Sequence, residues 1–330
     1  MHHSRLTVSL NFTDVIPTAP LPQAAPEEQV LNMQRFLPSI LIMAMCALLA
    51  GCGAAPEPAA GREGIITLAP NITETVFLLG EGDRVIGRTS FCQHPPEARE
   101  VPAVGGYINP DFEKMTRLRP ELIMLQGRHE KVAEFARRNG VETVHVDMDS
   151  LATIDSGIET IGEALGREAE AAALREAIAA DLEAIREAVA HEERPRVFLV
   201  SARSVRDLQN LPTMGGDSFV SELVEVAGGD NVYADASRPY VSASKERVVM
   251  REPEVILEFQ PGSGLGEEEV ERLKADWNAM PSLPAVRNDR IHIIQEEFAL
   301  TPGPRVAELA RLLAEILHPD VELPERAENE

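Results

Sequence analysis

The chain has 330 residues, enough for about two domains with separate cores. Apolar residues make up 44% and charged residues 26% of it, the composition of a folded globular protein rather than a disordered one. Asp and Glu number 54 against 31 Lys and Arg, a formal net charge of -23. Phosphate backbones are gripped by clustered cations, so this balance excludes nucleic acid as a partner. No uninterrupted apolar run reaches the length of a spanning helix, which excludes a multispan membrane protein.

In chain order, the first informative segment is the apolar run at 36–50, FLPSILIMAMCALLA. It follows Arg35 and ends in Leu48-Leu49-Ala50-Gly51-Cys52. A short basic start, an apolar stretch and small residues at its end read as a secretory signal; a buried helix or a membrane anchor is the alternative. Leu49-Ala50-Gly51-Cys52 resembles the lipobox of bacterial lipoproteins. The resemblance implies cleavage before Cys52 and a lipid on Cys52 that tethers the protein to the periplasmic or extracellular face of a membrane. Residues 1–32 hold Asp14, Glu27, Glu28 and four prolines, and read as an extension upstream of a start at Met33. The expected order is thus an extension at 1–32, a signal at 33–51 and a flexible Pro-Ala-Gly leash at 52–62. Cys46 falls in the signal and Cys52 in the lipid anchor. Only Cys92 is left, so no internal disulfide is expected.

The rest alternates short apolar runs with helical patterns, which argues for α/β layers with mainly parallel sheets. In a first lobe at 63–164, strands are expected at 65–68, 85–86, 122–125 and 143–146, with helices beginning near Thr73, Asp111 and Lys131. A second lobe at 194–330 carries strands at 197–200, 255–257 and 291–294, with helices near Ser218, Lys245, Glu267 and Pro304. Between them, 166–190 is rich in Ala, Glu, Leu and Arg. Its Leu174, Ile178, Leu182, Ile185 and Val189 recur every three or four positions and mark one helical face. The segment is expected as one bridging helix within 165–193, a stiff rod of roughly 38 Å.

The chain also repeats itself. Residues 107–123 and 240–256 superpose without gaps at an offset of 133, aligning Tyr107 with Tyr240, Glu113 with Glu246, Pro120-Glu121 with Pro253-Glu254 and Ile123 with Ile256. Each copy reads as loop, short helix, Pro turn and buried strand, with Asn109-Pro110 and Ser242 as the expected helix starts. A glutamate in a first helical turn complements the helix dipole by about 0.3–1 kcal/mol. That alone does not require the same offset from Tyr in both halves. The sharper reading is two matched carboxylates, one per lobe, that dock onto a two-fold partner carrying Arg.

With these residues in hand, the chain resembles the substrate-binding proteins of bacterial ABC importers for cobalamin, haem and iron-siderophores. The strings that carry the resemblance are ITLAPNITE at 66–74, FCQHPPEA at 91–98, VGGYINPDFE at 104–113, GGDSF at 215–219, AGGDN at 227–231 and PGPR at 302–305. It implies the class III architecture: two Rossmann-like α/β lobes with mainly parallel central sheets, bridged by one long rigid helix. It also implies a monomer whose partners are an ABC permease dimer with its ATPase and a small metal-chelate ligand. Glu113 and Glu246 fall on the family's permease-docking positions. Phe91, Tyr107 and Tyr240 fall where cobalamin-binding members line their cleft with aromatics, which bury a flat macrocycle at little entropic cost. Gln126 and Arg128 stand where such members can carry another Trp, and Arg128 suits an anionic iron chelate instead. Iron-siderophore and haem therefore remain alternatives to cobalamin. His94 or His129 is a candidate metal contact, against the plainer reading of a structural or exposed histidine.

Enzyme chemistry is not expected. The 262–266 stretch GSGLG lacks the Lys of a phosphate loop and is followed by acidic residues at 267–269. No nucleophile elbow or paired metal-binding histidines occur, so a secreted α/β enzyme is the weaker reading and no resident cofactor or metal is expected. The acidic runs at 267–271 and 322–330 read as solvated surface.

Overall fold

The computed structural model describes residues 64–326, all within one compact unit. The expected extension, signal, Cys52 and the whole of the leash lie outside the described residues.

The described chain opens with β1 (Ile65–Thr67), every residue of which is buried. A strand covered on both faces needs such an apolar run rather than alternation. Next come α1 (Pro70–Leu78), β2 (Val85–Arg88), α2 (Phe112–Leu118), β3 (Leu122–Gln126), α3 (Glu130–Asn139) and β4 (Glu142–Val146). The four strands form one wholly parallel sheet in the order β2-β1-β3-β4. Pro70 opens α1 at a position whose missing N–H has no helical partner to lose.

Two helices leave this sheet, where one was expected. α4 (Leu151–Leu165) starts from a capping box in which Ser150 and Thr153 bond each other's backbone. It ends at Gly166, whose φ of 66° is left-handed. α5 (Glu168–Ala188) then turns back along it. Arg175 reaches both Asp155 and Glu159 at 2.7 Å, which fixes the pair as an antiparallel hairpin. A Cβ at Gly162 would lie 2.4 Å from that of Ala171, so glycine sets how closely the helices approach. The bridging rod therefore has 21 residues, about 31 Å, and starts later than the composition suggested, because the left-handed Gly166 stops the preceding helix. Its expected stripe holds. Ile185 and Val189 are buried, and Leu174, Ile178 and Leu182 pack half-buried on the core.

The second sheet is built from β5 (Arg196–Val200), β6 (Leu211–Met214), β7 (Asp230–Asn231), β8 (Tyr240–Ala243), β9 (Val255–Phe259) and β10 (Ile291–Ile294), in the order β10-β9-β5-β6-β8 with β7 beside β5. β10, β9, β5 and β7 are mutually parallel; β6 and β8 add an antiparallel edge. Those two strands were not expected. Pro212 and Ser242 face each other across them, residues that weaken a strand pattern. The helices are α6 (Phe219–Val226), α7 (Lys245–Arg251), α8 (Glu267–Asp276), α9 (Pro284–Arg287) and α10 (Val306–Leu317).

The repeat is structural. Asp111 and Ser244, 133 positions apart, each cap a seven-residue helix, α2 and α7. Met115 and Val248 are the fully buried residues of those helices. Arg119 and Glu252 end them with φ of 51° and 44°, and the strands β3 and β9 follow at the same offset. The caps correct the expected ones. Pro110 is tied into a bridge with Gly105, and Ser242 pairs within β8, so both are still extended backbone.

The lobes share a core. One apolar cluster runs from Ile65 and Ile72 through Ile158, Ile161 and Ile185 of the hairpin to Leu199, Leu257, Leu309 and Leu313. α10 packs on α5 and on α6, which carries the second lobe back onto the bridge.

Candidate binding cleft

In open parallel sheets, ligands settle beyond the carboxyl ends of the strands, where the chain leaves in loops free to diverge. Both sheets follow this rule here. A cavity of about 510 Å³ lies at the ends of β1, β2 and β3, with Leu68, Ala69, Thr89, Phe91, Tyr107 and Gln126 among its walls. A second, of about 600 Å³, is lined from the first lobe by Pro70, Glu74, Phe91 and His94, and from the second by Pro261, Glu297 and Arg305. Pro70 and Phe91 belong to both. Phe91 is 70% exposed, an apolar ring left in the mouth between two lobes.

Three of the sequence-predicted ligand residues, Phe91, Tyr107 and Gln126, thus meet in one cavity. The Tyr107 hydroxyl donates to the Gln126 carbonyl at 2.7 Å, and its ring meets His129 edge-on at 5.5 Å. That fixes the ring as a wall of the cavity. Arg128 is exposed and lines an adjoining hollow with His129, His145 and Asp147, reached past Gly127. Tyr240, 54% exposed, lines neither of the two cavities described first. Burial raises the pKa of its hydroxyl, and the Asp149 charge raises it further. Asp149 itself accepts from Gln126 Nε2 at 3.0 Å.

The floor holds groups to which sequence reasoning gave no role. Glu74 is buried, and Arg305 grips it with two bonds of 2.6 and 2.8 Å. Burial pushes the Glu74 carboxyl up, while Arg305 pulls it down. The residues lie 231 positions apart and tie the lobes together. Asn71 Nδ2 donates to Gln126 Oε1 at 3.0 Å and to the Pro302 carbonyl at 2.7 Å, a second tie across the same seam. The Leu151 N–H donates to Glu222 at 2.6 Å, a third. Glu297 stands 3.7 Å from Arg305 and 3.9 Å from His94 Nδ1. Glu74 and Arg305 close the strings ITLAPNITE and PGPR, but nothing local in either string signals that they meet.

Glu113 and Glu246 are both exposed residues in the first turn of their helices. Both helices lead into a central parallel strand, β3 or β9, in the same manner. Glu113 is paired with Arg117 at 2.6 Å. Its own backbone N–H and the Ser244 hydroxyl hold the Glu246 carboxyl below the usual range. Among the described residues, no group of three or more His, Cys, Asp or Glu is arranged to hold a metal ion.

Two α/β lobes, a helical bridge and a cleft at the strand ends define the architecture of a two-lobed binding protein. The family pattern named periplasmic binding protein matches residues 65–297, and the chain belongs to that family. A substrate-binding lipoprotein of an ABC transporter from Bacillus subtilis, YvrC, is 29% identical over 264 residues, covering 78% of this chain and 80% of its own. The vitamin B12-binding protein of Vibrio parahaemolyticus is 26% identical, covering 74% and 85%. Among solved structures, the periplasmic heme-binding protein RhuT from Roseiflexus sp. RS-1 superposes with a TM-score of 0.64 at 26% identity, covering 78% of this chain and all of that one. The protein is a substrate-binding component of an ABC importer, which works with a permease and its ATPase, and not an enzyme.

Proposed function

We propose that the protein captures cobalamin, or a related corrinoid, between its lobes and delivers it to the permease. The observation that carries this reading is Phe91, a large exposed ring shared by two adjoining cavities of about 510 and 600 Å³. Exposed aromatic surface in a preformed cleft suits a flat macrocycle. The polar groups around it support a neutral, amide-bearing ring better than an anionic one: Gln126 offers an amide, while Glu297 would repel carboxylates. Glu113 and Glu246 serve as docking carboxylates, and Cys52 as the lipid anchor at the outer face of a membrane.

Calorimetry with cyanocobalamin, haemin and a ferric hydroxamate tests the ligand. Cyanocobalamin should bind, and Phe91→Ala should weaken it about tenfold, the loss of roughly 1.4 kcal/mol of ring contact. Binding of haemin or the hydroxamate with none of cyanocobalamin would overturn the corrinoid reading. One observation favours haem as the second reading. His94 lines the larger cavity with Nδ1 turned toward Glu297, which leaves Nε2 available to a metal in the ring. Replacing Glu113 and Glu246 together with Ala should impair permease coupling while ligand affinity stays near wild type; lost ligand affinity would count against their docking role.

A further inference from the structure

The repeat aligns the docking helices position by position, so it also shows where they differ. Residues at i, i+3 and i+4 share one helical face. On α2 that face carries Glu113, Thr116 and Arg117; on α7 it carries Glu246, Val249 and Met250. Arg117 holds Glu113 in an ion pair at 2.6 Å. Met250 stands at the matching position of the second lobe and cannot do so. Glu246 has no arginine or lysine within ion-pair distance among the described residues, while Met250 is 81% and Val249 36% exposed. The remaining charges of the first turn of α7, Lys245 and Arg247, point about 100° to either side of Glu246.

We propose that the two docking helices are unequal and that α7 makes the primary contact with the permease. The partner surface it fits offers an arginine for Glu246 beside an apolar socket that covers Met250 and Val249. The first lobe docks second, because Glu113 must first exchange Arg117 for the partner's cation. This inference rests on the docking role proposed above. The occupant is the permease rather than a second copy of this chain. A carboxylate beside the apolar patch with no cation paired to it calls for one opposite it, whereas a two-fold copy would set Glu246 near its own equivalent.

Magnitudes rank the contributions. An exposed i,i+4 pair is weak, so its exchange lowers affinity only about twofold. Covering a methionine that is four-fifths exposed contributes about tenfold or more. The test is binding of the mature protein, loaded with cyanocobalamin, to the permease dimer of its own host in lipid nanodiscs, at low and high salt. Met250→Ser should weaken binding about tenfold at both salt levels. Glu246→Gln should cost more than Glu113→Gln at low salt, and Arg117→Met should bring the two losses to the same size. If Glu113→Gln and Glu246→Gln both leave binding unchanged, the docking reading itself fails. If they weaken it but Met250→Ser does not, or if Glu113→Gln costs more, the inequality proposed here is wrong. Sedimentation in which Met250→Ser abolishes a dimer while permease affinity stays intact would assign the patch to a second copy and overturn the proposal.

Discussion

The two lobes solve one structural problem in different ways. β3 and β9 occupy equivalent places in the repeat, and both are central, buried strands. At the fourth position of each, the first lobe has Leu125 and the second has Glu258, both fully buried. The carboxylate is tolerated because the second lobe surrounds it. Arg203 pairs with it at 2.9 Å through a side chain only 2% exposed, Trp277 Nε1 donates to it at 3.1 Å, and Gln260 Nε2 donates at 3.1 Å. Arg203 in turn bonds Asp276 and the Leu273 carbonyl. The cluster ties the loop after β5 to α8, whereas Leu125 sits within an apolar cluster of the first lobe. A repeated fold thus fixes which positions are buried, and the neighbours decide which chemistry each buried position can carry.

Moving the charge to the other lobe should give the largest effect. Leu125→Glu places a carboxylate in an apolar layer with no guanidinium to meet it, and should cost more than about 4 kcal/mol or prevent folding. Urea unfolding of any soluble product measures it, and a loss under about 1 kcal/mol would break the comparison. Next, Glu258→Leu gives the second lobe the first lobe's residue but takes from Arg203 one of its two carboxylate partners and from Trp277 Nε1 its acceptor, at a cost of about 3 kcal/mol. Adding Arg203→Met should recover only part of that loss, since it removes the buried cation but leaves Asp276 without its partner.

The third variant probes the seam, where each lobe supplies one half of an ion pair. Arg305→Met leaves Glu74 buried without its cation, and should cost about 2–3 kcal/mol at neutral pH. The Glu74 carboxyl is raised by burial even beside Arg305, and losing Arg305 removes the main opposing influence. A carboxyl raised in the folded state favours folding below its ordinary value, and that advantage is lost as pH rises toward the raised value. The deficit of Arg305→Met against the parent should therefore be smallest at acid pH, where Glu74 is protonated in both, and grow as pH rises past the parent's raised value. A pH-independent deficit would show that Glu74 is not the group left unpaired.

Much of this was legible in the residues. Strands such as β3 and β9 are short apolar runs buried on both faces, and the repeat at an offset of 133 placed α2 and α7 before either was seen. The helix α4 carried its signal in Ile154, Ile158, Ile161 and Leu165 behind the Ser150 cap, but the stronger Ala-Glu pattern of α5 absorbed it. β6 and β8 were illegible because Pro212 and Ser242 break a periodic pattern. In the cleft, Phe91, Tyr107 and Gln126 could be named from their strings. The meeting of Glu74 with Arg305, and of Asn71 with Pro302, depends on how the chain closes over 231 residues, and no local spacing encodes that.

Cys92 has a practical consequence. Its thiol is fully buried, lies 3.1 Å from the Thr89 hydroxyl, and is pushed up in pKa by burial. A maleimide reacts with exposed thiolate, so the native protein should leave this sulfur unlabelled until it unfolds. Single cysteines introduced on α2 and α7 could then be tagged with spectroscopic probes while the natural residue stays in place, and the distance between the two helices read directly in solution.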